Sequence, residues 1–208
     1  LPNRYKGLND GTSVATNAVG ATNLSQFVHD NPAIEFYPSD YVNNPAIIGR
    51  HNKMVSINMV MEMDLTGQAA VDALPHNYFA GVSSMLDFMR GTDACPDGKS
   101  ILMLPSTSMD GKTSRIVPAL ESGAVVVPRS DVSYVISEYG AVNLFGKNLQ
   151  ERATAMISLA HPDFRDELFQ QAKELGLMSP GRKLSESLRS VYPVGLEEVR
   201  RYEDQDRK

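Results

Sequence analysis

Apolar and polar positions alternate along this chain in two rhythms. Short β-rich runs are separated by stretches whose apolar residues recur at helical spacing, which predicts α/β layering. Strands are expected at 12–18, 33–37, 53–58, 100–104, 123–127 and 132–137. The runs Ser100-Ile-Leu-Met-Leu104 and Ala124-Val-Val-Val127 are apolar without a break, as strands covered on both faces are. Two helices are sharply marked. Asn148 and Glu151 have the spacing of a capping box, and Leu149, Ala153, Met156, Ile157 and Ala160 then share a face up to Pro162. Asp163 is the expected cap of the next helix, in which Phe164, Leu168, Ala172 and Leu175 repeat and Gly176 provides the stop.

Composition narrows the class. At 208 residues, 42% hydrophobic and 22% charged, the chain can bury a core like any globular protein. A formal charge of −5 disfavours nucleic acid and anionic membrane as partners. No apolar run approaches the roughly 20 residues of a membrane helix, and no signal peptide opens the chain. A cytoplasmic location is the default. The single cysteine, Cys95, excludes an intrachain disulfide and a cysteine-based metal site. His29, His51, His76 and His161 lack metal-ligand spacing, so no metal is expected. Serine-hydrolase, P-loop and Rossmann fingerprints are absent. Leu1 is not a methionine, and the chain reads as a piece of something longer. Ser179-Pro-Gly-Arg-Lys183 is a breaker cluster, so residues 1–178 are expected as one domain and 179–208 as a charged extension or linker.

Four segments carry candidate chemistry. In the first, Asn58, Glu62 and Asp64 sit among β-formers; such residues either brace two strands or serve a site, and both readings stay open for the carboxylates. The second is Gly81-Val-Ser-Ser-Met-Leu-Asp-Phe88, read as a loop that Asp87 braces by accepting backbone N–H bonds. In the third, a strand ending in Pro105-Ser-Thr107 leads to Gly111-Lys-Thr-Ser-Arg-Ile-Val-Pro118, at the kind of sheet edge where ligands bind. Lys112 is more simply a solvated cation; Arg115 is equally readable as a ligand contact or a structural ion pair. The fourth runs from Ser130-Asp-Val-Ser-Tyr-Val-Ile-Ser-Glu-Tyr-Gly140 to Leu144-Phe-Gly-Lys-Asn-Leu-Gln-Glu-Arg-Ala153.

Taken in order, these runs resemble the C-terminal half of the acetyl-CoA hydrolase/transferase family, which includes butyrate and 4-hydroxybutyrate CoA-transferases. The resemblance implies a three-layer α/β/α fold of the CoA-transferase kind. Its mainly parallel central sheet would hold 100–104, 123–127 and 132–137, with helices 148–160 and 163–175 on its faces. It implies that Asn58 faces the active site, and that a backbone N–H of Ser83 or Ser84 is the second oxyanion donor in the same cleft. Gly81, Val82, Ser83, Ser84, Lys112 and Arg115 would meet coenzyme A. Relatives carry Gly-x-Gly-Gly at this loop, so Ser83 and Ser84 depart from the pattern. The family nucleophile is a glutamate in a His-Thr-Glu-type motif, attacking the thioester to give a glutamyl-CoA intermediate; this chain has no such motif. The implied partners are acyl-CoA, a short-chain carboxylate and the N-terminal half of the same enzyme, with no tightly bound cofactor. A homodimer and an acyltransferase domain appended through the tail are compatible with it. Glu138 is implied to be structural, paired with Arg152 or Lys147. Two competing readings remain: a non-catalytic acyl-CoA-sensing or scaffolding module, motivated by the two serines, and a sugar-phosphate isomerase on a related fold, for which no acid/base pair stands out.

Overall fold

A computed structural model describes residues 5–74, 77–81, 83–121 and 125–191. The chain divides into two units, Leu1–Ser56 with Ser84–Ser100, and Ile57–Ser83 with Ile101–Lys208. The first opens with β1 (Ser13–Ala15), α1 (Thr22–Val28), β2 (Ile34–Phe36), α2 (Ser39–Val42) and α3 (Pro45–Ile48). The chain leaves it along β3 (Val55–Met59). The second unit takes in β4 (Glu62–Asp64), β5 (Ala69–Ala70), β6 (Ala73–Leu74) and β7 (Asn77–Tyr78). The chain returns to the first for α4 (Met85–Asp93) and leaves again along β8 (Lys99–Met103). The second unit then adds β9 (Ile116–Val117), a 3-10 turn at Arg129–Asp131, β10 (Tyr134–Ser137), β11 (Gly140–Asn143), α5 (Leu149–Leu159), α6 (Pro162–Glu174) and α7 (Leu184–Val191).

The result is mixed α/β, with parallel pairings in three of its sheets. In the first unit β1 and β2 run parallel, Ser13 opposite Ile34, with α1 as the crossover. Helices α3 and α4 approach closely at Gly91, where a Cβ would lie 2.5 Å from that of Ile48. Ile48, Met85, Met89 and Cys95 form the buried centre of this unit. Cys95 acts as a polar link there: its thiol donates to the carbonyl of His51 at 2.6 Å.

The four-stranded sheet has the order β11-β10-β8-β3. β10 pairs with β8 in parallel, Tyr134 opposite Ile101, and with β11 as an antiparallel hairpin. The expected strands 100–104 and 132–137 are therefore present, as β8 and β10. Of the expected strand 123–127, the described residues 125–127 are not part of this sheet. Residues 122–124 lie outside the described set, and Val127 instead makes an isolated antiparallel bridge to Ala69. Pro128, which has no N–H to donate, stops the pairing there. A second sheet, β5-β4-β9, is fully buried at β4 and joins Met63 to Ile116 in parallel.

Helix α5 packs against α6, α7 and β11, so every residue from Arg152 to Leu159 is buried. Its capping box forms as the sequence predicts, with Glu151 N to Asn148 Oδ1 at 3.0 Å and Asn148 N to Glu151 Oε2 at 2.8 Å. The cap of α6 is His161 and not Asp163. Pro162 takes the first helical position, which leaves His161 Nδ1 to accept from Asp163 N at 3.3 Å. Gly176, at φ +70°, closes α6. In the segment from residue 179 onward, Leu184 and Leu188 of α7 are buried. Residues 192–208 fall outside the described set. No helix among the described residues is long and apolar enough to cross a membrane.

Candidate functional site

Strand β3 alternates strictly. Val55, Ile57 and Met59 are exposed, while Ser56 is buried and Asn58 half-buried on the opposite face. The side-chain amide nitrogen of Asn58 is buried and has no hydrogen-bond partner among the described residues. Buried amides are almost always paired, so this is a strong donor held without an acceptor.

Ser84 is the N-cap of α4, with φ −74°, ψ 8° and no side-chain capping bond. Residues 85–88, expected as loop, are the first turn of that helix. Asp87 accepts no backbone N–H among the described residues; its carboxylate sits in the first turn, where the helix dipole favours an anion. Neither Ser83 nor Ser84 has positive φ, so the serines that replace glycines introduce no left-handed strain. Gly81 is exposed with open space around it, and Val82 lies outside the described residues. Asn58 and Ser83 belong to the second unit, and Ser84 with α4 to the first.

The Glu62-x-Asp64-Leu-x-Gly67-Gln68 segment resolves into structure. Asp64 accepts from Thr66 N (2.9 Å), Thr66 Oγ1 (2.7 Å), Gln68 N (3.0 Å) and Gln68 Nε2 (2.7 Å). Its lone pairs are filled, and it braces the turn. Gly67 has φ +88°, and a Cβ there would come within 2.6 Å of Arg152 Nη2. Arg152 reaches the turn from α5, donating to the carbonyls of Thr66 (2.6 Å), Leu144 (2.9 Å) and Arg129 (2.8 Å). Burial, with repulsion from Arg129, lowers its pKa, and Asp64 opposes that. Glu62 is buried, and its carboxylate makes no hydrogen bond among the described residues. Burial pushes its carboxyl above the ordinary 4.5; the attraction of Arg115 is too weak to reverse this, and Glu121 adds to it.

Glu138 is structural, but its partner is not Arg152 or Lys147. It accepts from Ser106 N at 3.0 Å and Ser106 Oγ at 2.5 Å, at the end of β10 beside the end of β8. Burial raises its pKa, yet the Ser106 bonds and nearby His161 prevail and hold it below the ordinary value. Sequence reasoning missed this pair because the residues lie 32 apart and only the parallel register brings them together.

Lys112 is exposed on a tight loop. Ser108 Oγ donates to Asp110 Oδ1 (2.6 Å), Thr113 N donates to Ser108 Oγ (3.1 Å), and Gly111 takes φ +73°. Hydrogen bonds from Ser108 and from the Lys112 amide lower the pKa of Asp110. Arg115 borders a 360 Å³ pocket lined by Met59, Met61, Val71, Leu74 and Pro105. Val60 lines it too, and Asn58 is not among its lining residues.

The model of the acetyl-CoA hydrolase/transferase C-terminal domain matches residues 20–172, a span that includes all of these positions. The chain belongs to the acetyl-CoA hydrolase/transferase family. It is 43% identical over 175 residues to 4-hydroxybutyrate coenzyme A transferase of Clostridium kluyveri, covering 84% of this chain and 41% of that protein. It is 41% identical over 174 residues to succinyl-CoA:cyclohexane-1-carboxylate CoA transferase of Geobacter metallireducens, covering 83% of this chain and 40% of that protein. The crystal structure of RipA from Yersinia pestis superposes with a TM-score of 0.80 at 44% identity, over 85% of this chain and 40% of that one. The 4-hydroxybutyrate CoA-transferase structure from Porphyromonas gingivalis gives 0.69 at 40% identity, over 82% and 39%. The chain thus spans about two fifths of the length of these family members.

Proposed function

We propose that this chain is the C-terminal domain of a CoA-transferase or acyl-CoA hydrolase acting on short-chain acyl-CoA thioesters. The observation that carries the reading is the buried, unpartnered amide of Asn58 within the family-matched region. In this reading a glutamate outside the chain attacks the thioester carbonyl. The carbonyl becomes a tetrahedral oxyanion, CoA leaves, and an acyl–glutamyl anhydride forms; CoA thiolate then returns to the glutamyl carbonyl, giving the glutamyl-CoA thioester and free carboxylate. Asn58 Nδ2 and the backbone N–H of Ser83, both of the second unit, donate to the oxyanion as charge develops. Gly81 lies beside the pantetheine, and Lys112 pairs with a CoA phosphate. A hydrolase differs only in that water resolves the intermediate. The degenerate-loop argument for a non-catalytic sensor is weakened, because Ser84 holds an ordinary backbone conformation.

The test compares the 208-residue chain with a protein joining it to an upstream region that carries the glutamate. The joined protein is expected to exchange CoA between acyl-CoA and acetate and to accumulate CoA covalently on that glutamate, while the chain alone does neither. Turnover by the chain alone, or CoA binding without turnover by the joined protein, contradicts the reading.

A further inference from the structure

A pocket of 520 Å³ is built entirely from residues of the first unit. That volume lies in the range of small-molecule sites. Its apolar wall comes from several elements: Val14 of β1, Val42 of α2, Ile47 and Ile48 of α3, and Phe88 of α4. Its charged lining is of one sign: Lys6 and Lys53 border it, beside the imidazole of His51, and no aspartate or glutamate does, although the chain as a whole carries −5.

The hydrogen bonds of Lys53, Lys6 and His51 show what each has left to offer a ligand. Lys53 is exposed and makes no hydrogen bond or ion pair among the described residues. It sits at φ +51°, a left-handed position that lysine rarely adopts. Lys6 Nζ spends one of its three hydrogens on the carbonyl of Thr12 at 2.5 Å, which leaves two. His51 Nδ1 lies 3.2 Å from the carbonyl of Lys6. A carbonyl only accepts, so Nδ1 carries the hydrogen and Nε2 is not used by this bond. Two ammonium groups beside an apolar wall match a ligand with one anionic end and one apolar end.

We propose that this pocket binds a monocarboxylate with an apolar body, its carboxylate held by Lys53 and Lys6 and its body laid against Val42, Ile47 and Phe88. Asn9, Ser13, Tyr41 and Asn52 also line the pocket, so a nucleotide or phosphate ester is the competing ligand that the experiment must separate from a carboxylate. Use of the pocket for the acceptor carboxylate rests on the CoA-transferase reading; binding itself does not.

The experiment is an NMR titration of the isotopically labelled chain with acetate, butyrate, hexanoate and cyclohexanecarboxylate. Hexan-1-ol and adenosine 3′,5′-bisphosphate serve as controls. Saturable shifts are expected at the amides of Val14, Ile47 and Lys53, with affinity rising about three- to fourfold per added methylene. Lys53→Ala, a change at an exposed side chain, is expected to weaken hexanoate about tenfold while leaving the rest of the spectrum in place. Four results overturn the proposal: no saturable shift, equal affinity for acetate and hexanoate, equal affinity for hexanol and hexanoate, or tightest binding of the bisphosphate. Binding by a chain whose joined protein transfers no CoA removes the enzyme reading and keeps the pocket; CoA transfer without such binding does the reverse.

Discussion

Replacing Arg152 by methionine tests the internal architecture most severely. The guanidinium is buried, and its three bonds go to neutral carbonyls at 2.6, 2.9 and 2.8 Å. They tie α5 to the Asp64–Gln68 turn, to the end of the β10–β11 hairpin and to the 3-10 turn at Arg129–Asp131. A hydrogen bond with a charged partner contributes about 1.5–3 kcal/mol net, so three would sum to roughly 4–9. The bonds share one donor and are not additive, and methionine also avoids the cost of burying a charge. An expected loss of about 3–5 kcal/mol follows, or roughly 10 °C in Tm for a chain of this length. The chain has no tryptophan, so far-UV circular dichroism under urea is the assay, with the slope checked for constancy. Arg152→Lys keeps the charge but not the planar fork and should recover less than half of the loss. A change under about 1 kcal/mol for methionine would refute the reasoning, and full recovery by lysine would show that charge rather than geometry matters.

Glu62→Gln should stabilise the chain at neutral pH and not at acid pH. The folded state raises the Glu62 pKa above 4.5, so its favourable contribution is complete below that value and is lost as pH rises through the folded pKa. Urea midpoints for variant and wild type that stay parallel from acid to neutral pH would oppose this. Glu138 behaves in the opposite sense: its lowered pKa contributes stability above the unfolded value, lost as pH falls through the folded one. Ser106→Ala should therefore move acid unfolding to higher pH, by a small amount because Glu138 is exposed; an unmoved acid transition would dissociate the pair from stability. Ser84→Gly should leave transfer activity of the joined protein within about threefold and cost only about a few tenths of a kcal/mol of stability, since Ser84 is an N-cap without a capping bond and φ −74° leaves no strain to relieve. A large gain in activity would mean that the serine obstructs the site.

Local signals carried the helical part of the fold. The Asn148–Glu151 box and the α5 periodicity were legible because a capping box depends on residues three apart. β8 and β10 were legible as β-rich runs. The run 124–127 looked equally strand-like, yet Val127 bridges β5; a hydrophobic run reports burial, not which neighbour it pairs with. Asp163 had the better capping chemistry, but Pro162 set the helix start and handed the cap to His161. Arg152 reaches a carbonyl 86 residues away and Ser106 a carboxylate 32 away, distances at which no periodicity operates. From the residues alone Asn58 is an amide among β-formers, the family resemblance alone implies its place at the active site, and its isolation required the packing of β3 to be known.

The role of Asn58 as an oxyanion donor is tested most directly by Asn58→Ala in the joined protein, with CoA transfer and stability measured together. Removing one such donor is expected to lower kcat about 10²–10³-fold. Stability should change by less than about 1 kcal/mol, because the buried nitrogen has no partner to lose among the described residues. A kcat within threefold of wild type, or a loss of activity that merely follows unfolding, would contradict the assignment and leave family membership without this site.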